Sequence, residues 1–217
     1  MFASKNFFLG STAKPFSISY VGRVGVQVGG NTTSETYAGA SIGTADPTRI
    51  LVIVVTGANN AGAAGGTTSV TVDGNPMTAQ VNLNSSRSPC SIWTLAYPTG
   101  TTATFVINHY SGTTGVELYA MYNTINGGTA TNTASAYTAS TQPVMTLTCP
   151  AGGAAIFGTS GTSNPTTTTI GTVNDSWTGA FGVTGASILY TPTPSGSVTN
   201  TVTSASSLSA YCCASFI

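Results

Sequence analysis

Polar and apolar residues along this chain alternate with the period of β-strands, and no stretch keeps the apolar stripe of an amphipathic helix. Residues 49 to 56 form a continuous run of β-branched and aliphatic residues between turn signals, which predicts a strand buried on both faces. In residues 91 to 97 the alternation places Trp93, Leu95 and Tyr97 on one face of a strand. The pattern therefore predicts an all-β protein.

Turn residues separate the predicted strands. Asp73 and Gly74 lie between two alternating segments, and this dipeptide is typical of a tight hairpin because both central residues take positive φ. Further strands are predicted for residues 17 to 28, 101 to 108 and 116 to 122.

A weak internal repeat relates the two halves of the chain. Residues 91 to 94, followed by a Pro-Thr-Gly turn and a Thr/Val strand, align with residues 187 to 190, a Pro-Ser-Gly turn and a similar strand. An apolar strand precedes each copy, at residues 50 to 55 and 154 to 158. The repeat predicts two similar antiparallel sheets packed on one another. We expect residues 16–217 to form a single antiparallel β-sandwich, jelly-roll-like; two small β domains, 16–128 and 129–217, are the alternative.

The N-terminal segment differs from the rest of the chain because it is rich in phenylalanine without a strand period. Residues 1–15 are expected to form an extended arm that binds a partner through aromatic anchors. The alternative is a frayed tail before an ordinary first strand. The candidate partner-binding residues of the arm and its root are Phe2, Phe7, Phe8, Lys14 and Phe16.

Charge is scarce: charged residues make up 5% of the chain, the formal net charge is +0, and Asp175 is the only charged residue after Glu117. Five scattered cations cannot form the basic stripe that nucleic acid needs. The longest apolar run is far shorter than the roughly 20 residues of a membrane-spanning helix, and we expect no signal peptide. Zero net charge favours association, so the chain is expected to work as part of an assembly.

Few residues could support catalysis. His109 could serve as the base for a Ser111 or Cys90 nucleophile, but no nucleophile-elbow motif surrounds either residue. Glu117 could contribute to a paired-carboxylate site, although the other carboxylates are dispersed and Asp73 and Asp175 fall in predicted turns. We expect no catalytic residues, no cofactor and no metal site, and hence no enzyme.

The structural roles expected for these groups are ordinary ones. Glu117 is expected to pair with Arg49, Arg87 or a neighbouring chain. The cysteines at positions 90, 149, 212 and 213 match no disulfide framework or zinc pattern, and we expect small buried thiols in a reducing compartment. Adjacent Cys212 and Cys213 would point to opposite faces of a strand.

A neutral surface with exposed aromatic rings also suits sugar recognition. Trp177 is the best candidate for a carbohydrate-binding platform because it follows a polar segment expected to form a turn, where burial is less assured. Trp93, Tyr110 and Tyr137 are further candidates. This interpretation gives a receptor-binding or carbohydrate-binding module of a tail or fibre, with a host glycan as partner.

Residues 46 to 55, 69 to 77, 91 to 95 and 98 to 101 together resemble β-sandwich structural proteins of tailed-bacteriophage virions, over roughly residues 40 to 125. The resemblance lies in strands and turns and transfers no functional residues. It implies a non-enzymatic virion component, most specifically a capsid decoration (cement) protein that stabilises the particle through subunit contacts. The expected partners are copies of itself and major capsid or tail proteins, without nucleic acid or membrane. The expected location is the virion, after synthesis in the host cytoplasm.

Overall fold

The structure is a computed structural model that describes residues 14–27, 32–58, 66–84, 88–110, 112–138, 142, 144–161, 165–178, 184–204 and 209–217. All regular elements in these ranges are β-strands, and the strand pairings are antiparallel, which confirms the predicted all-β, sandwich-type fold class. No helix within them is long and apolar enough to cross a membrane.

The first half of the chain forms a two-layer sandwich. Its strands are β1 (Ser17–Val26), β2 (Ser34–Ser41), β3 (Ile50–Ala58), β4 (Thr67–Val72), β5 (Asn75–Pro76), β6 (Thr78–Leu83), β7 (Cys90–Ala96), β8 (Thr102–His109) and β9 (Thr113–Tyr122). A five-stranded sheet has the order β1-β9-β3-β7-β6, and a four-stranded sheet has the order β2-β8-β4-β5. The predicted hairpin is confirmed between β4 and β5, where Asp73 and Gly74 have φ angles of 46° and 80°.

The second half repeats this arrangement. Its strands are β10 (Asn132–Thr138), β11 (Val144–Cys149), β12 (Ala154–Gly161), β13 (Pro165–Thr168), β14 (Thr172–Thr178), β15 (Thr184–Tyr190), β16 (Gly196–Ser204) and β17 (Ser209–Phe216). A five-stranded sheet has the order β10-β17-β12-β15-β14, and a three-stranded sheet has the order β11-β16-β13.

The two halves share one topology. Replacing β1, β9, β3, β7 and β6 by β10, β17, β12, β15 and β14 converts the first large sheet into the second. The repeat predicted from the sequence is therefore present in the structure, and it is larger than expected. Each copy builds a two-layer sandwich and not a single sheet, because strands such as β8 and β16 cross to a second, smaller sheet.

The two sandwiches pack through the outer faces of their five-stranded sheets, and we call this contact the seam. Between the sheets of the first half lie Leu51, Ile53, Val55, Phe105, Ile107 and Leu118. The seam contains Ile50, Val52, Val54, Tyr119, Met121, Ile156, Cys212 and Phe216. Strand β3 thus contributes alternate residues to two cores, which confirms the predicted burial on both faces.

Contacts across the seam follow an approximate two-fold relation. Strand β1 contacts β14, and the equivalent strand β10 contacts β6. Likewise β3 contacts β15 and β12 contacts β7, while β3 and β12 contact each other. Exchanging the halves maps each of these contacts onto its counterpart, as in an isologous dimer. Strand β17 in addition packs against β6 and β7 of the first half. The chain is therefore a covalently joined pseudo-dimer.

Candidate functional site

The root of the N-terminal segment lies at the start of β1. Phe2, Phe7 and Phe8 fall outside the described residues, so the predicted arm stays a prediction. The Lys14 ammonium lies 4.0 Å from the Asp46 carboxylate with 76% of its side chain exposed. Phe16 packs against the seam cluster. This end of the chain is therefore attached to the body beside the seam.

A groove of about 260 Å³ opens at this root. It lies between the start of β1 and two turns of the second half, and it is lined by Phe16, Ser17, Ile18, Gly152, Gly153, Thr191 and Pro192. The lining residues carry no charge, so the groove suits an apolar or aromatic side chain.

Trp177 occupies a different environment from the one expected. It lies in β14 and not in a turn, only 2% of it is exposed, and its Nε1 donates a hydrogen bond of 2.9 Å to Oγ1 of Thr56 in β3. A Cβ atom added at Gly115 or Gly185 would collide with the indole, so the ring fills the seam closely. A stacking platform needs an exposed face, and the prediction that Trp177 offers one is wrong in this structure.

The other aromatic candidates divide in two. Trp93 is buried in the core of the first sandwich and donates from Nε1 to Oγ of Ser91 over 2.8 Å. Tyr110 and Tyr137 are 54% and 42% exposed. Tyr137 lies in β10 and Tyr110 follows β8. The structure does not bring the tryptophans together with the exposed tyrosines as one sugar-binding face.

His109 is engaged at both ring nitrogens. Nδ1 lies 2.6 Å from the carbonyl oxygen of Tyr110, which can only accept, so Nδ1 carries a proton. Nε2 lies 2.9 Å from Oε1 of Glu35, whose other oxygen accepts from Thr114 over 2.6 Å. Burial lowers the pKa of His109, but the hydrogen bonds to Glu35 and Tyr110 and the Glu35 charge outweigh it and raise the pKa. In this arrangement the ring links β8 to Glu35 of β2, which also accepts from Thr114 of β9, and no ring nitrogen is free to activate a nucleophile.

The cysteine expectation is wrong for one pair. Cys90 in β7 and Cys212 in β17 form a disulfide across the seam, with their Cα atoms 5.7 Å apart. Cys149 and Cys213 are free and buried in the second sandwich, and Cys212 and Cys213 face opposite sides of β17 as expected. Cys90 is thus unavailable as a nucleophile, and Ser111 lies outside the described residues.

The carboxylates are dispersed and differ in role. Asp73 is the turn residue that the sequence predicted, and its Oδ1 accepts from the backbone of Thr104 over 2.8 Å. Asp175 is not in a turn but in β14, where it pairs across the seam with Arg23 of β1. Glu117 is fully buried, and burial followed by the Asp175 charge raises its pKa to about 8.

The predicted partner Arg49 does not bind Glu117, and the alternative partner Arg87 lies outside the described residues. Although it is fully buried, its guanidinium donates to backbone carbonyls: Nε to Tyr97 over 2.7 Å, Nη1 to Gly43 over 3.2 Å, and Nη2 to Thr99. Arg49 therefore fastens the loops around the start of β3. Sequence reasoning missed this role, although an arginine directly before a wholly apolar strand was a signal for it.

Within the described ranges, no group of three or more His, Cys, Asp and Glu side chains is arranged to hold a metal ion. The charged side chains described there form hydrogen bonds or ion pairs within the chain, or lie close to an opposite charge. They are Lys14, Arg23, Glu35, Asp46, Arg49, Asp73, Glu117 and Asp175.

Several outer strands carry no charge at all. β6, β10 and β11 are edge strands in their sheets and contain no Lys, Arg, Asp, Glu or Pro. β11 also exposes Val144 at 59%, and β10, which contacts β11, exposes Tyr137 at 42%. The equivalent edges of the first half, β1 and β2, carry Arg23 and Glu35. Edge strands of independent proteins are usually protected by charge, proline or a covering segment, so the edges of β10 and β11 are suited to pairing.

No family model matches this chain, and no curated protein matches it. Among solved structures, a chain of the atomic structure of Sulfolobus Turreted Icosahedral Virus aligns with 15% identity, covering 94% of this chain and 93% of that chain, at a TM-score of 0.20. A TM-score this low does not show a shared fold.

Proposed function

We propose that this chain is a non-enzymatic structural subunit of a virus particle, and more narrowly a capsid decoration protein of a tailed bacteriophage. The observation that carries the proposal is the neutral surface. In the described part of the chain the charged side chains interact with other groups of the same chain, while the β10 and β11 edges carry no charge.

Such a surface favours assembly for a physical reason. Hydroxyl and amide groups can be buried in an interface at moderate cost when they find hydrogen-bond partners, whereas each buried charge needs a matched partner. An unprotected strand edge can also be extended by a strand of a neighbouring subunit. Copies of this chain and a major capsid protein are the partners that this surface fits.

The N-terminal segment supplies a second attachment in this proposal. Phe2, Phe7 and Phe8 are aromatic anchors, and the segment that bears them leads to Lys14 and Phe16 beside the uncharged groove. An aromatic side chain of a partner fits that groove, and the arm in turn reaches the partner.

The absence of catalysis in this proposal is supported by how the candidate groups are used. His109 is bonded at both nitrogens, Cys90 is in a disulfide, and Glu117 is sealed inside the seam. None of these groups meets solvent where a substrate could reach it.

The test combines self-association with binding to capsids assembled without this chain. Sedimentation velocity over a wide concentration range measures the first, and co-sedimentation measures the second. Thr146→Lys places a charge on the β11 edge, and removal of residues 2–13 deletes the aromatic anchors Phe2, Phe7 and Phe8; both changes should weaken binding. Ile125→Lys is the matched control, because Ile125 is 74% exposed and lies in a turn that belongs to no strand. A protein that stays monomeric and does not bind such capsids would refute the proposal.

A further inference from the structure

Glu117 lies in the middle of β9 with its side chain in the seam. It shares a face with Tyr119 and Met121 of the seam cluster and is fully buried. Among the described residues, no hydrogen-bond partner is present for either carboxylate oxygen. A carboxylate without partners is costly to bury in its charged form, so the site favours the neutral acid.

Within the described ranges, the charged and titratable groups around Glu117 come from three strands. On β1, Arg23 lies directly opposite Glu117 in the strand register, and Tyr20 lies nearby. On β14 of the other half, Asp175 adds a negative charge, and on β9 itself Tyr119 is two residues away. Strand β3 offers Val54 opposite Glu117 and no ionisable group.

Arg23 is the cation next to Glu117, and it is bound to the other half. Its Nε donates to Asp175 over 2.6 Å, its Nη2 donates to the second oxygen of Asp175, and Nη2 also donates to the carbonyl of Ser176 over 2.8 Å. This bidentate pair is a charged contact across the seam between β1 and β14. The guanidinium that lies opposite Glu117 in the strand register is therefore bound by Asp175 and not by Glu117.

We propose that Glu117 is a proton-dependent switch of the seam. While Glu117 is neutral, Arg23 stays bound to Asp175, and this pair adds to the disulfide and the apolar contacts that hold the halves together. When Glu117 ionises, it competes with Asp175 for Arg23, which lies opposite it in the same sheet. The cross-seam pair is then weakened, and the buried charge draws water into the seam.

The direction of the pH effect follows from the pKa of Glu117. Burial raises this pKa from an ordinary value of 4.5 to about 8. Between these values the folded protein holds a proton that the unfolded chain has released, so stability is greatest below the lower value and falls as pH rises towards the higher one. A single proton makes the unfolding constant rise by about tenfold per pH unit in this window.

The first measurement is urea unfolding as a function of pH for the wild type and Glu117→Gln, which keeps the shape of the neutral acid. His109 titrates in both proteins, so the difference between the two curves belongs to Glu117. Between these two pKa values, we expect the unfolding constant of the wild type to rise by about tenfold per pH unit relative to that of the variant. Glu117→Met serves the same purpose if the Gln variant does not fold. Equal pH dependence in wild type and variant would overturn the proposal.

The second measurement locates the effect at the seam. In a Trp93→Phe background, Trp177 is the only tryptophan and reports on the seam; in a Trp177→Phe background, Trp93 reports on the first core. Acrylamide quenching of Trp177 should increase from about pH 6 to about pH 9, and Glu117→Gln should abolish the increase. Trp93 should not respond. Quenching of Trp177 that is independent of pH, or an equal response of both reporters, would contradict a switch at the seam.

Discussion

The hydrogen bond between Trp177 and Thr56 allows a direct measurement of how the two halves hold each other. The donor lies in β14 and the acceptor in β3, and both side chains are buried. We predict that Trp177→Phe and Thr56→Val each destabilise the protein, and that the double variant loses less free energy of unfolding than the sum of the two.

The magnitude follows from what each change leaves behind. Thr56→Val keeps the volume of the side chain but leaves the indole N–H buried without an acceptor, which costs about 1–3 kcal/mol. Trp177→Phe removes the donor and part of the ring. We expect it to lower the free energy of unfolding by about 2 kcal/mol, less than the 3–5 kcal/mol typical of truncation to alanine. The double variant has no unpaired donor, so the coupling energy should be about 1 kcal/mol.

The assay is urea unfolding of the four proteins at one pH. A matched cycle within the first half, Trp93→Phe with Ser91→Ala, tests a bond of similar length that does not cross the seam. Suppose that the Trp93 cycle shows coupling, while the free-energy losses of Trp177→Phe and Thr56→Val are additive to within about 0.3 kcal/mol. The hydrogen bond across the seam would then not form in solution. The role assigned to Trp177 would then be refuted.

Four further predictions concern His109, Arg49, Gly115 and the cooperativity of unfolding. His109 is the only histidine, so its NMR titration is unambiguous. We expect a midpoint above the ordinary pKa of 6.5, and a lower midpoint in Glu35→Gln. The stability that the His109–Glu35 pair contributes is fully present below pH 6.5 and is lost as the pH rises through the pKa of His109 in the folded protein. Arg49→Met leaves several loop carbonyls unpaired and should cost about 3 kcal/mol or more in urea unfolding. Gly115→Ala forces a methyl group against Trp177 and should cost about 1–3 kcal/mol. Calorimetry should show one cooperative transition, because the seam joins both cores; two separated transitions would favour independent domains.

Local patterns were enough to predict the parts of the fold that depend on neighbours in sequence. The apolar run of β3 has a polar-free composition because both of its faces are covered. The hairpin at Asp73 and Gly74 depends on the backbone freedom of two adjacent residues, and the face of β7 that bears Trp93 follows from simple alternation. Each of these predictions is confirmed by the structure.

The seam could not be predicted in this way, because its contacts join residues far apart in sequence. The bond from Trp177 to Thr56 spans 121 residues, the pair of Arg23 with Asp175 spans 152, and the disulfide spans 122. Strand periodicity states which residues share a face but not which sheet covers that face. One signal was available: Asp175 is the only charge in the last hundred residues, and a lone charge in such a segment is expected to have a specific partner.

The duplicated fold also gives the scarcity of charge a structural explanation. Because the five-stranded sheets bury their outer faces against each other, the smaller sheets and the strand edges form most of the surface left for partners. On the second small sheet this surface includes threonines such as Thr146 and Thr199, which lie 3.1 Å apart and are both exposed. The second half uses its one charge, Asp175, to hold the first half. A partner that covers the second small sheet therefore meets hydroxyl groups, each of which it can hydrogen-bond separately, and it does not have to remove water from a charged group.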